Sequence, residues 1–446
     1  SPVTIASSEP SRGPPSPSTA GSSPKAQLHP PRNAVSTRQR STVADASNSA
    51  TPRRGTRDGS DDAIVTGDGA SCGVTQTLGA GAPRAIGFGD ATIEADAVAA
   101  QGTSHFVVGV YQSRGLVLKR DEVAPAAWLV QAGVSDQLWG IASGTMNALA
   151  VGTSRTTTGT PHDRGVIAMI SGGMTPKAWV VEDRVESLEF SAVHSPGDAW
   201  FVAGRHEGGT RIVIAQFDLD HNVQVATSLQ LDATQAHRVL DLVADGSRVF
   251  VAGQFGSVEM PGASFLIGLS RVNLSSTWVL QPDFTVVDVS MDGGDLVVAG
   301  FRGGDGIIAR LAPDSGALRS AQRLPGRPLH GVIAAGAERW IAGPDTSGGT
   351  FVGRLDGDCA TITSHAAVLG ATPLQRPPVV IAGGGVATLY GANQGRTKIL
   401  QRLLDGNGAS TCAATAASAA AVPTTVAFVT GGAASKSVAL TKTAVS

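Results

Sequence analysis

Three aspartates and a set of arginines are the residues with the greatest capacity for chemistry. Asp96, Asp241 and Asp288 each sit in a short run of small and β-branched residues, as in Val286-Val-Asp-Val-Ser-Met291. Two carboxylates about 5–10 Å apart can share the acid and base work of glycoside cleavage. Asp241 and Asp288 are the candidates for such a pair. Arg114, Arg155, Arg164, Arg205, Arg211, Arg302 and Arg396 recur at one relative place along the chain, with His162, Asp163 and Asp305 among them. Guanidinium forks grip carboxylates, so this set points to binding of an acidic polymer or a protein. The nine His show no pair at ligand spacing, which argues against zinc. Asp218-Leu-Asp220-His-Asn222 opens like a calcium loop, but Val223 stands where such a loop needs Gly, and a hairpin turn is expected. Gly303-Gly-Asp-Gly306 and Gly383-Gly-Gly385 lack the Lys and helix of a phosphate loop. No cofactor and no metal are expected.

The elements that must position these residues follow from composition and repetition. The chain has 446 residues, 42% of them hydrophobic and only 16% charged, with 56 Gly and 24 Pro. That mixture suits many short strands and turns rather than long amphipathic helices. A formal charge of −2 indicates neither a nucleic-acid binder nor a polybasic membrane protein. No apolar stretch approaches the 18 residues of a membrane-spanning helix. Residues 1–62 differ from the rest: nine prolines lie between Pro2 and Pro52, and no aromatic residue precedes Phe88. Through Ser60 the net charge is +5, leaving −7 for the remainder. So little apolar bulk cannot offset the entropy of ordering, so 1–62 reads as a disordered Ser/Pro/Arg-rich tether and 63–446 as the folded domain. A first residue of Ser1 rather than Met fits a cleaved secretion signal, so an extracellular, periplasmic or cell-surface location is expected.

A hydrophobic run ending in Gly recurs through the domain. Its copies are Phe106-Val-Val-Gly109, Leu149-Ala-Val-Gly152, Phe201-Val-Ala-Gly204, Phe250-Val-Ala-Gly253, Leu296-Val-Val-Ala-Gly300, Trp340-Ile-Ala-Gly343, Thr388-Leu-Tyr-Gly391 and Ala427-Phe-Val-Thr-Gly431. Spacings of 40–52 residues match one four-stranded blade. The runs are continuously apolar, as expected of strands covered on both faces. The order within a unit reads inner strand, Gly/Asp turn, anchor strand, loop, third strand, turn, and an outer strand marked by Trp128, Trp179 or Trp278 in three copies. The sequence therefore predicts an all-β, eight-bladed β-propeller, with seven blades as the alternative.

A ring must join its ends or leave sheet edges unpaired. The eighth unit lacks an outer strand, and Cys72-Gly-Val-Thr-Gln-Thr-Leu78 has no inner strands of its own. Residues 72–80 are thus expected to close the ring beside the C-terminal strand. In that register Cys72, Cys359 and Cys412 open outer strands of different blades, too far apart for a disulfide, so three free thiols are expected.

The inner-strand Asp, the Val-Ala-Gly anchor, the Leu355-Asp-Gly357 turn and the outer Trp together resemble bacterial SBBP-type β-propeller repeats, over about residues 90–445. Gly140, Ala192 and Gly331 replace the Asp in other units. The resemblance implies an exported or surface protein and assigns no activity. Together these features favour a monomeric binding or scaffold module for a protein or glycan partner, or one part of a larger assembly. The alternative is a carbohydrate-active hydrolase or lyase with its site at the channel mouth.

Overall fold

A computed structural model describes residues 84–87, 93–101, 104–120, 126–156, 162–171, 174–183, 186–256, 261–335, 338–344, 350–355, 362–368, 372–373, 379–382, 386–392, 398–404, 414–415 and 422–445. These form six five-stranded sheets and one four-stranded sheet. Along the chain, sheet 1 spans 93–130, sheet 2 135–182, sheet 3 188–230, sheet 4 237–282, sheet 5 285–324 and sheet 6 331–368. Each runs outward through four antiparallel strands. The closing sheet is built from 379–382, 386–392 and 398–404, with Arg84–Gly87 outermost on Lys398–Gln401.

Inner strands of successive sheets touch in turn around the series, and the last, Val379–Ala382, touches the first, Ile93–Gln101. That circuit makes the fold a β-propeller. Loops between second and third strands, and links between sheets, emerge on one face, here the upper face. The two turns within each sheet form the lower face.

The anchor runs are second strands and are buried on both sides, as in Ala148–Val151 and Trp200–Ala203. Neighbouring sheets supply the cover. Leu229, Val239, Phe255 and Phe265 pack sheet 3 on sheet 4, and Trp278, Phe284, Val298 and Ile307 pack sheet 4 on sheet 5. Each such side chain stabilises by roughly 1.5–3 kcal/mol when fully buried. The anchor Gly has a specific cause. Inner strands of sheets 1–5 carry a register shift, between Ala95/Ala97, Leu138/Gly140, Phe190/Ala192, Val239/Asp241 and Val286/Asp288. The bulge presses the inner backbone onto the second strand. A Cβ on Gly109, Gly152, Gly204, Gly253 or Gly300 would lie 1.7–2.4 Å from a carbonyl oxygen of the inner strand, and one on Gly343 2.0 Å from the Pro328 carbonyl just ahead of it. Only Gly fits.

Two sequence expectations need correction. The eighth repeat is not a blade. Phe428–Thr430 instead pairs with Leu280–Pro282 as a fifth strand on the outer edge of sheet 4. The reason is lack of material: that run is three residues long, Val429 is 65% exposed, and Ala, Ser and Thr dominate the preceding residues. Such a segment has too few apolar residues to fill a blade of its own, although Val426 and Phe428 pack on the neighbouring core. The ring is closed by an N-terminal outer strand, but this is Arg84–Gly87 in the seventh unit rather than residues 72–80 in an eighth. Residues 1–62 and all three Cys lie outside the described residues.

Candidate binding site at the upper channel mouth

The carbonyls that crowd the anchor glycines belong to Glu94, Gln137, Glu189, Arg238, Thr285 and Pro328, each fifteen residues before its Gly. These positions therefore stand at one level, at the upper ends of the inner strands. Leu188 and Phe190 around Glu189, and His237 and Val239 around Arg238, are buried between sheets. Strand alternation turns the intervening residues to the central channel. The electrostatics agree. Arg238 of sheet 4 feels the charges of Glu189 from sheet 3 and of Asp96 from sheet 1, a sheet not adjacent to its own. The Gln137 amide donates to Asp96 Oδ2 at 3.3 Å. The Arg205 guanidinium donates to both oxygens of Glu189, at 3.2 and 2.5 Å.

Arg238 is the exception in this collar. Burial lowers its pKa, Glu189 opposes that, and the nearby Arg205 charge adds to it. Its guanidinium has no hydrogen-bond acceptor among the described residues. A fork of five N–H donors held part-buried beside a second guanidinium is suited to an anionic group from outside.

Below the collar lie the other two aspartates. Asp241 Oδ2 accepts from the Val289 N–H at 3.1 Å, and Asp288 Oδ2 accepts from the Val332 N–H at 2.6 Å. Each carboxylate thereby ties its sheet to the next. Asp288 is 2% exposed and hydrogen-bonded to Asp241, and its pKa is raised well above 3.8 by burial first and the neighbouring carboxylate second. Carboxyls in mutual contact do not leave the space that glycoside cleavage requires. Asp96 also departs from its expected place: it is the unpaired residue of the bulge, one position ahead of Asp241 and Asp288. His194 lies farther down the same inner wall; burial lowers its pKa, partly offset by Asp241 and by the Ala244 backbone.

The described arginines and acids singled out from the sequence fall on the upper face, spread over several sheets rather than in one cluster. Arg155 pairs with Asp163 at 3.1 Å, and Arg164 with Glu182 at 3.0 Å and the Ala132 carbonyl at 2.9 Å. Arg211 donates to the Ser228 hydroxyl and, at 3.2 Å, to its carbonyl. Arg302 binds Asp283 at 2.7 Å and the Thr425 carbonyl at 3.2 Å, beside a cavity of about 360 Å³ lined by Phe284 and Phe301. Asp305 holds Arg323 at 3.2 Å and the Gly326 N–H at 2.7 Å. His162 is half-buried on this face, Arg114 is exposed, and Arg396 lies outside the described residues. Only Arg205 joins the collar.

On the lower face a cavity of about 410 Å³ opens between sheets 2 and 3, lined by Trp179, Trp200, His221 and Lys177. Trp179 stacks on His221 with centroids 5.2 Å apart, and Lys442 Nζ lies 4.9 Å over Trp179. Groups of this chain thus already engage that indole.

No family model and no curated protein sequence matches the chain. Among solved structures it is similar to the computationally designed Ika8 protein, at 11% identity and TM-score 0.45, covering 72% of this chain and 85% of that one. The Dos1 propeller matches at 9% identity and TM-score 0.46, over 78% and 86%. The WD40 β-propeller domain of Doa1 matches at 11% identity and TM-score 0.28, over 60% and 90%. The propeller assignment rests on the sheet circuit itself.

Proposed function

We propose that this protein is a binding module that takes an acidic group of a protein partner at the upper channel mouth. The observation that carries the reading is the Arg238 guanidinium, part-buried and without an acceptor among the described residues, where most other guanidinium groups are paired. Glu189, itself held by Arg205, attracts it from one side, and Gln137 and Thr285 add neutral hydrogen-bonding groups at the same level. Loops of both charge signs surround the mouth, the kind of rim that steers and orients a protein partner. The mutual contact of Asp241 and Asp288 supports a structural role for them, which favours binding over glycan cleavage. The Ser/Pro-rich composition of 1–62 supports a tethered, exported setting for such a module.

The test is a panel of acidic and neutral peptides and oligosaccharides against the full chain at 50 and 300 mM salt. Peptide ligands carrying carboxylates are expected, weakening with salt and by at least tenfold in Arg238→Gln, but not in Arg114→Ala. Neutral ligands, or acidic ones indifferent to Arg238→Gln, would sink the reading. Oligosaccharides as the only ligands would replace the partner class.

A further inference from the structure

The chain's C-terminal part runs back around the rim and adds a fifth strand to five successive sheets. Ala414–Thr415 pairs with sheet 6, Val422–Pro423 with sheet 5, Phe428–Thr430 with sheet 4, Ala434–Ser437 with sheet 3 and Thr441–Ala444 with sheet 2. Every pairing is antiparallel and only two to four residues long. Side chains of 434–437 are all exposed, and those of 441–444 nearly so. The outer edges of this propeller therefore accept short strands by backbone hydrogen bonds, with little demand on side chains.

The next edge on that path belongs to sheet 1. Its outer strand, Ala126–Val130, pairs inward with Gly115–Lys119, and no described residue pairs with its outer edge. Arg84–Gly87 also lacks a fifth strand, but it is shorter by one residue. Exposed edges are ordinarily blunted by Lys, Pro or bulges. The outer strand of sheet 2 carries Lys177 and Glu182, that of sheet 4 ends in Pro282, and that of sheet 5 has Arg319 and Arg323. Ala126-Ala-Trp-Leu-Val130 has none of these, and Leu129 is 41% exposed. It is a wholly apolar strand whose outward N–H and C=O groups pair with no described strand.

We propose that Ala126–Val130 is a strand-docking site for an extended segment of a partner protein, lying antiparallel and without acidic residues. The five docked segments of this chain define the chemistry: Ala, Ser, Thr, Val and Lys predominate, and no Asp or Glu occurs in any of them. Strand addition at a sheet edge takes its affinity from the main chain. This site is separate from the channel mouth, and its failure would leave the Arg238 reading intact.

The test is amide hydrogen exchange on the full chain, with and without a synthetic peptide of residues 438–446, Val-Ala-Leu-Thr-Lys-Thr-Ala-Val-Ser. At millimolar peptide, exchange of two or three amides within 126–130 is expected to slow about tenfold. A peptide with Pro in place of Thr441 and Thr443 is expected to leave them unchanged. Equal exchange with and without the first peptide would overturn the proposal. Full protection in dilute, peptide-free protein would overturn it too, by showing that the chain covers its own edge. Protection that grows with protein concentration would assign the edge to a second copy instead.

Discussion

Replacing Gly204 by Ala probes the bulge shared by the inner strands of sheets 1–5. The added Cβ would sit 1.7 Å from the Glu189 oxygen, 2.7 Å from its carbonyl carbon and 2.8 Å from Phe190 Cα. All three are backbone atoms, so no rotamer change relieves the clash. Ordinary contact begins near 3.4 Å, and the inner strand must retreat by about 1.5 Å or more. The pairs Leu188↔His206, Glu189↔Arg205 and Phe190↔Gly204 would open. Two weakened ladder bonds cost about 1 kcal/mol each. Disturbed packing of the fully buried Phe190 adds about 1–3 kcal/mol. The expected loss is about 3–5 kcal/mol in urea unfolding at constant slope. Gly246→Ala is the control: nothing lies within 4 Å of its Cβ, and a change under about 0.5 kcal/mol is expected. If Gly204→Ala unfolds within 1 kcal/mol of the wild type, the bulge account of the repeated Gly is wrong.

Two further outcomes follow from other parts of the ring. Because Asp288 holds its proton more tightly folded than unfolded, its own contribution to stability is fully present below about pH 4 and is lost as pH rises towards the raised folded value. The slope approaches about 1.4 kcal/mol per pH unit for one proton. Asp288→Asn keeps an acceptor for the Val332 N–H and a donor to Asp241, so this slope should disappear from urea midpoints measured between pH 5 and 8. An identical slope in the variant would contradict the shared-proton reading. Deleting 414–446 removes five fifth strands and, among the described residues, few buried side chains, chiefly Val426 and Val438. About 3–5 kcal/mol should be lost, from two valines and part of the ladders. The far-ultraviolet β signal should persist, whereas a fully unfolded deletion would show that the rim strands hold the sheets together.

The propeller was legible because two-sided burial writes continuous apolar runs such as Phe250-Val-Ala-Gly253 at blade spacing. The count failed at Ala427-Phe-Val-Thr-Gly431, where the motif is present but the surrounding bulk is not. A short apolar run fits a fifth strand as readily as a second. The bulge was illegible because one unpaired residue leaves alternation intact on either side, and this is why Asp96 was grouped with Asp241 and Asp288. The collar had a usable signal, the residue fifteen before each anchor Gly, reading Glu94, Gln137, Glu189, Arg238 and Thr285. That offset acquires meaning only once the Gly is known to touch the carbonyl of that residue. The described loop arginines share one face by topology alone. Their partners, such as Glu182 for Arg164 or Asp283 for Arg302, come from strands 18–19 residues away or across a sheet link, which spacing does not reveal.

The claim that the upper channel mouth accepts a carboxylate on Arg238 is tested most directly by side-chain nuclear magnetic resonance. The Nε–H signal of Arg238, assigned by its loss in Arg238→Gln, is followed during titration with glutarate. The account predicts a shift that saturates, while the exposed Arg114 signal drifts without saturation. Two arginine signals that drift alike would contradict it.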